Sequence, residues 1–499
     1  MTDRRHYRAA VIGAGFGGVA VGAALGQAGI DYVILERAAA IGGTWRDNTY
    51  PGCRCDVPSH LYSLSFAPTP EWTRTYSAQP EILAYLRQTA DRLGVRGHIR
   101  LSHEVHGARW DPAANRWLLD TARGPFTADV LISANGVLAE PSMPDLPGLD
   151  DFGGQVFHSA RWDPQATLAG QRVGVVGTGA SAVQIVPAIA PQVASLSVFQ
   201  RTPAWILPHT DRPITSWERA VYRRVPAAQR AVRTAVYWQR ELLASGMAKH
   251  PRQMALVRMV AARHLARQVP DPDLRKRLTP QYTPGCKRLV PSNDFYPALL
   301  QPQVELVTDP IERLTGRGVV TRPGPAAGPA SARTTHELDV LILATGFRVT
   351  DNPVMARIQG ADGTRLADVW APAGPKAFLA TTVAGFPNLF LINGPNSAIG
   401  HTSLLIMTEA QIPYIVGAIK ALDEHRIAAL DLRADVQERY NHWLDGKLSR
   451  TVWNSGGCDS WYLHAHGRNS VLWPDYTWRF RRLLGRFDLR PYHQLGRTS

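Results

Sequence analysis

Two glycine-rich turns that follow short apolar strands, and a long stretch of helical periodicity, predict the fold class. They indicate an α/β protein with two Rossmann-like, dinucleotide-binding domains, the second of which carries an all-helical insertion. A chain of 499 residues exceeds one hydrophobic core, since a domain usually holds about 100–200 residues. We expect the first domain over residues 1–148 and 380–499, the second over 149–212 and 280–379, and the insertion over 213–279.

The first glycine-rich turn lies between a strand predicted over residues 8–12 and a helix. It has the spacing G-x-G-x-x-G at Gly13, Gly15 and Gly18. The first glycine permits a tight turn, the second lets a pyrophosphate approach the backbone, and the third lets helix and strand pack closely. Glu36 ends the next strand, where a carboxylate can accept a hydrogen bond from a ribose hydroxyl. This combination favours a dinucleotide site over an incidental glycine-rich turn.

The second turn lies within residues 171–186, which again read as strand, turn and helix. The turn has the spacing G-x-G-x-x-A, the variant with alanine in the third glycine position, and consists of Gly177, Thr178, Gly179, Ala180, Ser181 and Ala182. The next strand ends at Arg201 and Thr202 instead of at an acid, and an arginine there suits a ribose 2′-phosphate. We therefore expect NADP at the second site. Further elements are predicted as a helix over 78–96, strands over 104–136 and 339–346, and helices over 403–421 and 434–449.

The chain is basic, with a net charge of +14 and a pI of about 9.9. Such a charge is typical of proteins that bind nucleic acid or an anionic membrane surface. The arginines are scattered, however, and no nucleic-acid-binding motif accompanies them, so we expect no nucleic-acid partner. We favour a basic surface with arginines that bind cofactor phosphates. For the basic helical insertion, contact with a membrane surface stays open as a second interpretation.

No membrane-spanning segment and no metal site are expected. The uncharged residues 173–200 are long enough to span a bilayer, but their glycines and prolines favour strand, turn, helix and strand. The N-terminus lacks the apolar run of a signal peptide. Four cysteines, Cys53, Cys55, Cys286 and Cys458, do not suggest a disulfide framework in so long a chain. These features predict a cytoplasmic protein with reduced thiols.

A glycine-containing segment, Phe152–Pro164, separates the two turns. It has no apolar run long enough for a strand or helix, so we interpret it as a linker or hinge between the domains. A lone histidine such as His158 is more often structural than catalytic in such a place.

Two longer patterns connect the sequence with a known family. The pattern F-x-G-x-x-x-H-x-x-x-W-P/D is met at Phe152, Gly154, His158, Trp162 and Asp163. The pattern G-G-x-W-x4-F/Y-P-G-x3-D is met at Gly42, Gly43, Trp45, Tyr50, Pro51, Gly52 and Asp56. In these patterns and in the order of its motifs, the chain resembles the Baeyer–Villiger monooxygenases, and more broadly the class B flavoprotein monooxygenases.

The resemblance implies FAD on the first domain. Glu36 would bind the ribose of the FAD adenosine, and Val105 would touch the adenine. Thr44, Trp45, Asp56 and Tyr62 would line the flavin.

The resemblance also implies NADPH on the second domain. Arg201, Thr202 and Lys287 would hold its 2′-phosphate, while Arg54 and Trp461 would contact the nicotinamide half. Arg288 would be the catalytic arginine, oriented by Asp56.

In this family NADPH reduces the flavin and O₂ then forms a C4a-peroxyflavin, which inserts one oxygen atom beside a ketone carbonyl. The product is an ester or lactone. Two alternatives stay open from the sequence: oxidation of sulfides or amines by the same kind of enzyme, and an NADPH-dependent flavoprotein reductase or sensor without oxygenation. The identity of the ketone and the oligomeric state are not predicted.

Overall fold

A computed structural model describes residues 5–324, 332–458, 460–464 and 467–496. The strands are β1 (His6–Ile12), β2 (Tyr32–Leu35), β3 (Ile99–Arg100), β4 (Val105–Asp111), β5 (Arg116–Thr121), β6 (Phe126–Ser133), β7 (Gln155–His158), β8 (Arg172–Val176), β9 (Ser195–Phe199), β10 (Ile206–Leu207), β11 (Val290–Pro291), β12 (Val304–Val307), β13 (Ile311–Thr315), β14 (Gly318–Thr321), β15 (Thr334–Glu337), β16 (Val340–Leu343), β17 (Ile358–Gln359), β18 (Leu389–Leu391), β19 (Ile427–Leu432) and β20 (Tyr492–Gly496).

The α-helices are α1 (Phe16–Gln27), α2 (Thr44–Asp47), α3 (Gln79–Arg92), α4 (Ala180–Ile189), α5 (Ser216–Arg224), α6 (Pro226–Ala244), α7 (Met254–Gln268), α8 (Pro272–Leu278), α9 (Phe295–Leu299), α10 (Leu366–Trp370), α11 (Leu404–Glu424), α12 (Ala434–Leu448), α13 (Val452–Ser455) and α14 (Thr477–Leu483). The helices and strands predicted from the sequence are present, with ends that differ by a few residues.

Two sheets share an order of four strands: β3-β2-β1-β6 in the first corresponds to β12-β9-β8-β16 in the second. The first runs β17-β4-β5-β6-β1-β2-β3, with β18 also paired to β6, and its strands β3, β2, β1 and β6 are parallel. The second runs β12-β9-β8-β16-β7 and is parallel throughout. In each sheet the strand that enters the glycine-rich turn, β1 or β8, lies inside. The prediction of two Rossmann-like domains is confirmed; their boundaries stay a prediction.

The segment Phe152–Pro164 is more than a linker, and the expectation that it contains no strand is wrong. Its residues Gln155–His158 form β7, the edge strand of the second sheet, paired with β16. A Cβ on Gly154 would lie 2.2 Å from the carbonyl oxygen of Asp339, so only glycine fits at the start of this pairing. This strand could not be predicted, because four residues give too short a pattern and because its partner strand β16 lies far away in the sequence.

The predicted insertion is helical, as expected, but its first helical pattern is interrupted. Helix α5 ends at Arg224 and α6 begins at Pro226. Proline lacks the N–H that a continuous helix needs and is well suited to the first position of a new one. Val225, which lies between the two helices, is 50% exposed.

Among the described helices, one is long and apolar enough to cross a bilayer by length and composition. This is α11, which has a mean hydropathy of 1.2 over its most apolar 18 residues; 67% of that stretch is buried inside the protein. It packs against α1 and α14, and we assign it as a core helix.

A disulfide corrects the expectation of reduced thiols. Cys286 and Cys458, 172 residues apart, are joined, whereas Cys53 and Cys55 are free and buried. The amide of Thr283 donates to the carbonyl of Gly456 at 2.9 Å, so backbone pairing already brings the two loops together. Nothing in the spacing of the cysteines indicates this contact, which the tertiary fold creates.

Removal of this disulfide with Cys286→Ser and Cys458→Ser is expected to lower the free energy of unfolding. A cross-link that closes so long a loop restricts the unfolded chain, which is worth about 2–5 kcal/mol. Urea unfolding with and without a thiol reductant measures the effect. The urea midpoint of the wild type should fall on reduction, and that of the double variant should not change. An unchanged wild-type midpoint would show that the disulfide does not stabilise the protein.

Candidate active site

Both glycine-rich turns are shaped for a phosphate. Gly13 and Gly177 have φ angles of +100° and +112°, in the region that favours glycine. A Cβ on Gly18 would lie 1.9 Å from the carbonyl oxygen of Gly13, which explains the third glycine of the first motif. Helices α1 and α4 begin after Gly15 and Gly179, with no capping side chain and no acid in the first turn. Their free amides and the helix dipoles can bind a pyrophosphate.

Glu36 supports the first turn directly. Its Oε2 accepts from the amide of Ala14 at 2.8 Å, and its Oε1 accepts from the amide of Ala38 at 2.9 Å and from Arg46 at 3.0 Å. The side chain is almost fully buried. Since each carboxylate oxygen can accept two hydrogen bonds, Oε2 keeps capacity for a ribose hydroxyl.

Asp56 and Arg288 form a bidentate ion pair, although they are 232 residues apart. The Nε and Nη2 atoms of Arg288 donate to the Asp56 carboxylate at 2.5 and 2.7 Å. The side chain of Arg288 stays 36% exposed and that of Asp56 17%. The charge of Asp56 raises the pKa of Arg288 above its usual range. Burial alone would raise the pKa of Asp56, but Arg288 lowers it below the usual value. Both groups therefore keep their charge at neutral pH.

Two further side chains act on this pair electrostatically. Tyr462 is buried close to it, and this burial raises the pKa of Tyr462 to about 12. Arg240 of α6 donates to the hydroxyl of Tyr76 at 2.6 Å and also helps to lower the pKa of Asp56. The ion pair thus has neighbours from the helical insertion and from the C-terminal part of the chain.

A buried aromatic pair stands beside the first turn. Trp45 donates from its indole to the hydroxyl of Tyr62 at 2.8 Å, and their ring centroids are 5.4 Å apart. Thr44 begins α2, which packs against the 3-10 turn Ser159–Arg161. The residues predicted to line a flavin are therefore neighbours, and they contact the segment between the two sheets.

The loop with Gly52 is fastened to the second unit by one side chain, Gln184 of α4. The Oε1 of Gln184 accepts from the hydroxyl of Tyr50 and from the amide of Arg54, both at 3.2 Å. Its Nε2 donates to the carbonyl of Arg54 at 3.1 Å. Gly52 has a φ of +80°, and a Cβ there would lie 2.6 Å from the Gln184 carbonyl. The glycine of the second pattern is thus required for contact between the two units.

The predicted 2′-phosphate residues lie on adjoining loops. The hydroxyl of Thr178 donates to the carbonyl of Thr202 at 2.8 Å. Tyr282 connects the loops, because its hydroxyl donates to Pro203 at 3.1 Å and its ring centroid lies 5.4 Å from the Lys287 ammonium. Arg201 is exposed beside them. This arrangement offers two cations to a phosphate group.

Three other predicted residues have different surroundings. Arg54 lies 3.8 Å from the buried carboxylate of Asp211. Trp461 is 49% exposed and lines a separate cleft of about 440 Å³ with residues 141–143 and 347–351. Val105 packs its side chain into the core under the first sheet, where its carbonyl accepts from Arg357. The structure does not bring Trp461 or Val105 to the Arg288 pair, and their predicted cofactor contacts stay predictions.

His158, at the end of β7, is a structural histidine. It is 3% exposed, its Nδ1 accepts from the amide of Ala160 at 3.1 Å, and its ring lies edge-on to Phe347. Burial lowers the pKa of His158 from 6.5 to about 4. The histidine is therefore neutral in the folded protein at neutral pH.

This shift predicts a specific loss of stability in acid. Unfolded His158 takes up a proton below pH 6.5 and folded His158 only near pH 4. The contribution of neutral His158 to the free energy of unfolding is complete above pH 6.5. It is lost as the pH falls from 6.5 to about 4, at up to about 1.4 kcal/mol per pH unit. In urea unfolding, His158→Gln should flatten the pH dependence over this window. His60→Gln is the parallel case, since burial also lowers the pKa of His60 to about 4; equal slopes in all three proteins would contradict the prediction.

Three residues of the site were not found from the sequence: Gln184, Arg240 and Tyr462. Gln184 lies four residues past the Ala180 that begins α4, and no motif indicates that it contacts the Tyr50–Arg54 loop. Arg240 lies among the many arginines of a basic helix, and no motif marks it. Tyr462 follows the predicted Trp461, and only the burial pattern distinguishes the two.

Comparisons with known proteins agree with this geometry. Residues 10–230 match the family described as pyridine nucleotide-disulphide oxidoreductase. A Streptomyces coelicolor protein named Baeyer-Villiger monooxygenase is 47% identical over 492 residues, which cover 98% of this chain and 93% of the relative. The crystal structure of OTEMO in complex with FAD and NADP has a TM-score of 0.84 at 28% identity, with 96% and 97% of the two chains covered. The structure of cyclohexanone monooxygenase from Rhodococcus sp. Phi1 bound to NADP+ has a TM-score of 0.84 at 30% identity, with 99% and 100% covered.

Proposed function

This chain belongs to the Baeyer–Villiger monooxygenase family, and on that premise we propose that it acts on a small-molecule ketone through Arg288 and Asp56. It is an FAD-containing, NADPH-dependent monooxygenase that uses O₂. One oxygen atom enters beside the carbonyl to give an ester or lactone, and the other leaves as water. The observation that carries our assignment of the catalytic pair is the bidentate contact between Arg288 and Asp56.

FAD fits the first glycine-rich turn and NADPH the second. Open helix N-termini with positive φ at Gly13 and Gly177 suit their pyrophosphates, and the cations at Arg201 and Lys287 suit a 2′-phosphate. When bound, FAD supplies electron transfer and the activation of O₂. The protein supplies binding, orientation and a partly dehydrated site.

Arg288 stabilises the negative charge that develops on the carbonyl oxygen of the ketone. A fixed cation lowers the energy of such a charge most when it is already oriented and little water surrounds it. Arginine keeps its proton when it is desolvated, whereas lysine loses it more readily. The raised pKa of Arg288 supports this role.

Asp56 is the positioning residue of this pair. Its two oxygens fix the plane of the guanidinium and offset the cost of burying the positive charge. The Nη1 atom of Arg288 has no hydrogen bond to Asp56, and we assign it to the substrate oxygen.

A disulfide-reductase function is disfavoured by the two free cysteines. Cys53 and Cys55 are buried, and burial raises the pKa of the Cys53 thiol to about 12. A thiolate is the attacking form in disulfide exchange, so these residues are poorly suited to that reaction. We further propose a cytoplasmic location, since NADPH must be supplied continuously.

Turnover of the purified, FAD-loaded enzyme with NADPH and O₂ tests the proposal. Cyclic, linear and aromatic ketones and a sulfide are compared, with NADPH oxidation and product formation measured together. We expect a ketone to stimulate NADPH oxidation and to give one ester or lactone per NADPH. A product from the sulfide alone, or hydrogen peroxide as the only oxygen product with every ketone, would overturn the assignment of a ketone substrate.

A further inference from the structure

The positive charge of the chain is concentrated in the helical insertion. Residues 213–279 contain 14 Lys and Arg against four Asp and Glu, so this stretch holds +10 of the net charge of +14. The binding of FAD, NADPH and a ketone does not require most of these charges. Of them, Arg240 contacts Tyr76 near the ion pair, but Arg252, Arg263 and Arg267 are exposed.

Large apolar side chains are exposed on the same helices. On α6, Trp238 and Leu242 are one turn apart and are 54% and 76% exposed. On α7, Leu256, Met259 and Val260 have the spacing of one helix face and are 63%, 40% and 39% exposed. Isolated exposed apolar residues are ordinary, whereas five large ones on two consecutive helices are typical of a surface that contacts an apolar partner.

The two apolar groups lie on either side of a short connection, a π-helical turn at Ser245–Lys249 followed by a 3-10 turn at Pro251–Gln253. This connection packs closely against the start of α7, since a Cβ on Gly246 would lie 2.8 Å from the sulfur of Met254. Along α7 the apolar side chains are followed by arginines on the same face, in the order Leu256, Val260, Arg263 and Arg267. Neither helix carries an exposed acid, because the only one, Glu241, is buried.

We propose that this surface binds an anionic phospholipid membrane. We call it the basic helical face, and it consists of Trp238, Leu242, Leu256, Met259, Val260, Arg263 and Arg267. Tryptophan and aliphatic side chains that insert at the headgroup level, with arginines that reach the lipid phosphates, are the features of an interfacial helix. The enzyme lies on the membrane and does not span it.

The composition of this face distinguishes a membrane from two other partners. Nucleic acid would use the arginines but would leave Trp238, Leu242 and Leu256 in water, apart from stacking on the indole. A second copy of the chain would bring two insertions of +10 together, which is electrostatically unfavourable. An anionic bilayer satisfies the charges and buries the apolar side chains at the same time.

Co-sedimentation of the full-length, FAD-loaded enzyme with vesicles tests this proposal. Vesicles of phosphatidylcholine alone are compared with vesicles that also contain phosphatidylglycerol, at low and high salt. The enzyme should sediment with the anionic vesicles, remain in solution with the neutral ones, and dissociate as salt rises. Equal binding to both vesicle types, or to neither, would overturn it.

Paired variants separate the charged and the apolar contributions. Arg263→Glu with Arg267→Glu should weaken binding to anionic vesicles by about tenfold or more. Trp238→Ser with Leu242→Ser should weaken vesicle binding similarly but leave binding to a DNA duplex unchanged. Matched controls are Arg109→Glu and Val369→Ser, which are exposed on β4 and α10 outside the insertion.

Both controls should bind vesicles as the wild type does, and turnover in solution should be unaffected in every variant. If the serine variant kept its vesicle binding, the contact would be ionic only, and the proposed insertion of Trp238 and Leu242 at the headgroup level would be overturned. The same holds if the duplex were bound more tightly than the vesicles.

Discussion

Arg288→Ala is expected to lower the rate of ester formation by about 10²–10³-fold, while reduction of the flavin by NADPH continues. The guanidinium is the cation that we assign to the substrate oxygen, and alanine removes the ion-pair partner of Asp56. Stopped-flow absorbance follows flavin reduction, and product analysis follows the ester. Separate measurement distinguishes loss of the oxygenation step from loss of NADPH binding.

Arg288→Lys is the informative companion variant. Lysine keeps a positive charge but cannot make the two parallel hydrogen bonds that Asp56 accepts from Nε and Nη2. We expect it to recover part of the lost rate. Near wild-type ester formation in the alanine variant would show that Arg288 is not the catalytic cation.

Arg201→Ala is expected to raise the KM for NADPH by about 10–100-fold, because a charge-assisted hydrogen bond to a phosphate contributes about 1.5–3 kcal/mol. The KM for NADH should change little, since NADH lacks the 2′-phosphate. The enzyme should therefore lose most of its preference between the two cofactors. Initial rates at varied concentrations of each nucleotide give both constants.

Lys287→Ala should act in the same direction, because its ammonium is held over the Tyr282 ring next to the Arg201 loop. Arg109→Ala, an exposed arginine on β4, is the control for a general loss of positive charge. A parallel rise in KM for NADH and NADPH would assign Arg201 to the shared part of the nucleotide.

The two glycine-rich units could be predicted because their signals are local. Gly13, Gly18 and Gly177 are required by contacts within a few residues or by their own backbone angles, and β1 and β8 each run into the turn through a buried apolar stretch. Strands β7, β19 and β20 were not predicted, because each pairs with a strand far away in the sequence. Strands β13–β15 were also missed, although β13 and β14 form a local hairpin, because each has only four or five residues.

In the candidate site, too, contacts between residues far apart in the sequence could not be predicted from local patterns. The pairing of Asp56 with Arg288 was predicted through the resemblance, since no local pattern relates residues so far apart. The disulfide of Cys286 with Cys458 was missed for this same reason. The contact of Trp461 with the nicotinamide half was inferred from the resemblance and stays a prediction, whereas the position of its neighbour Tyr462 beside the ion pair was not predicted.

The attachment of the Tyr50–Arg54 loop to Gln184 has a consequence for the timing of catalysis. Any rotation of the second unit relative to the first would have to release three hydrogen bonds to one side chain. Because these bonds share Gln184, we expect such a rotation to occur as a two-state isomerisation with its own rate constant. Gln184→Ala removes all three bonds, and we expect it to lower the barrier to this isomerisation. Release of NADP+ would then be the step to follow in single-turnover experiments.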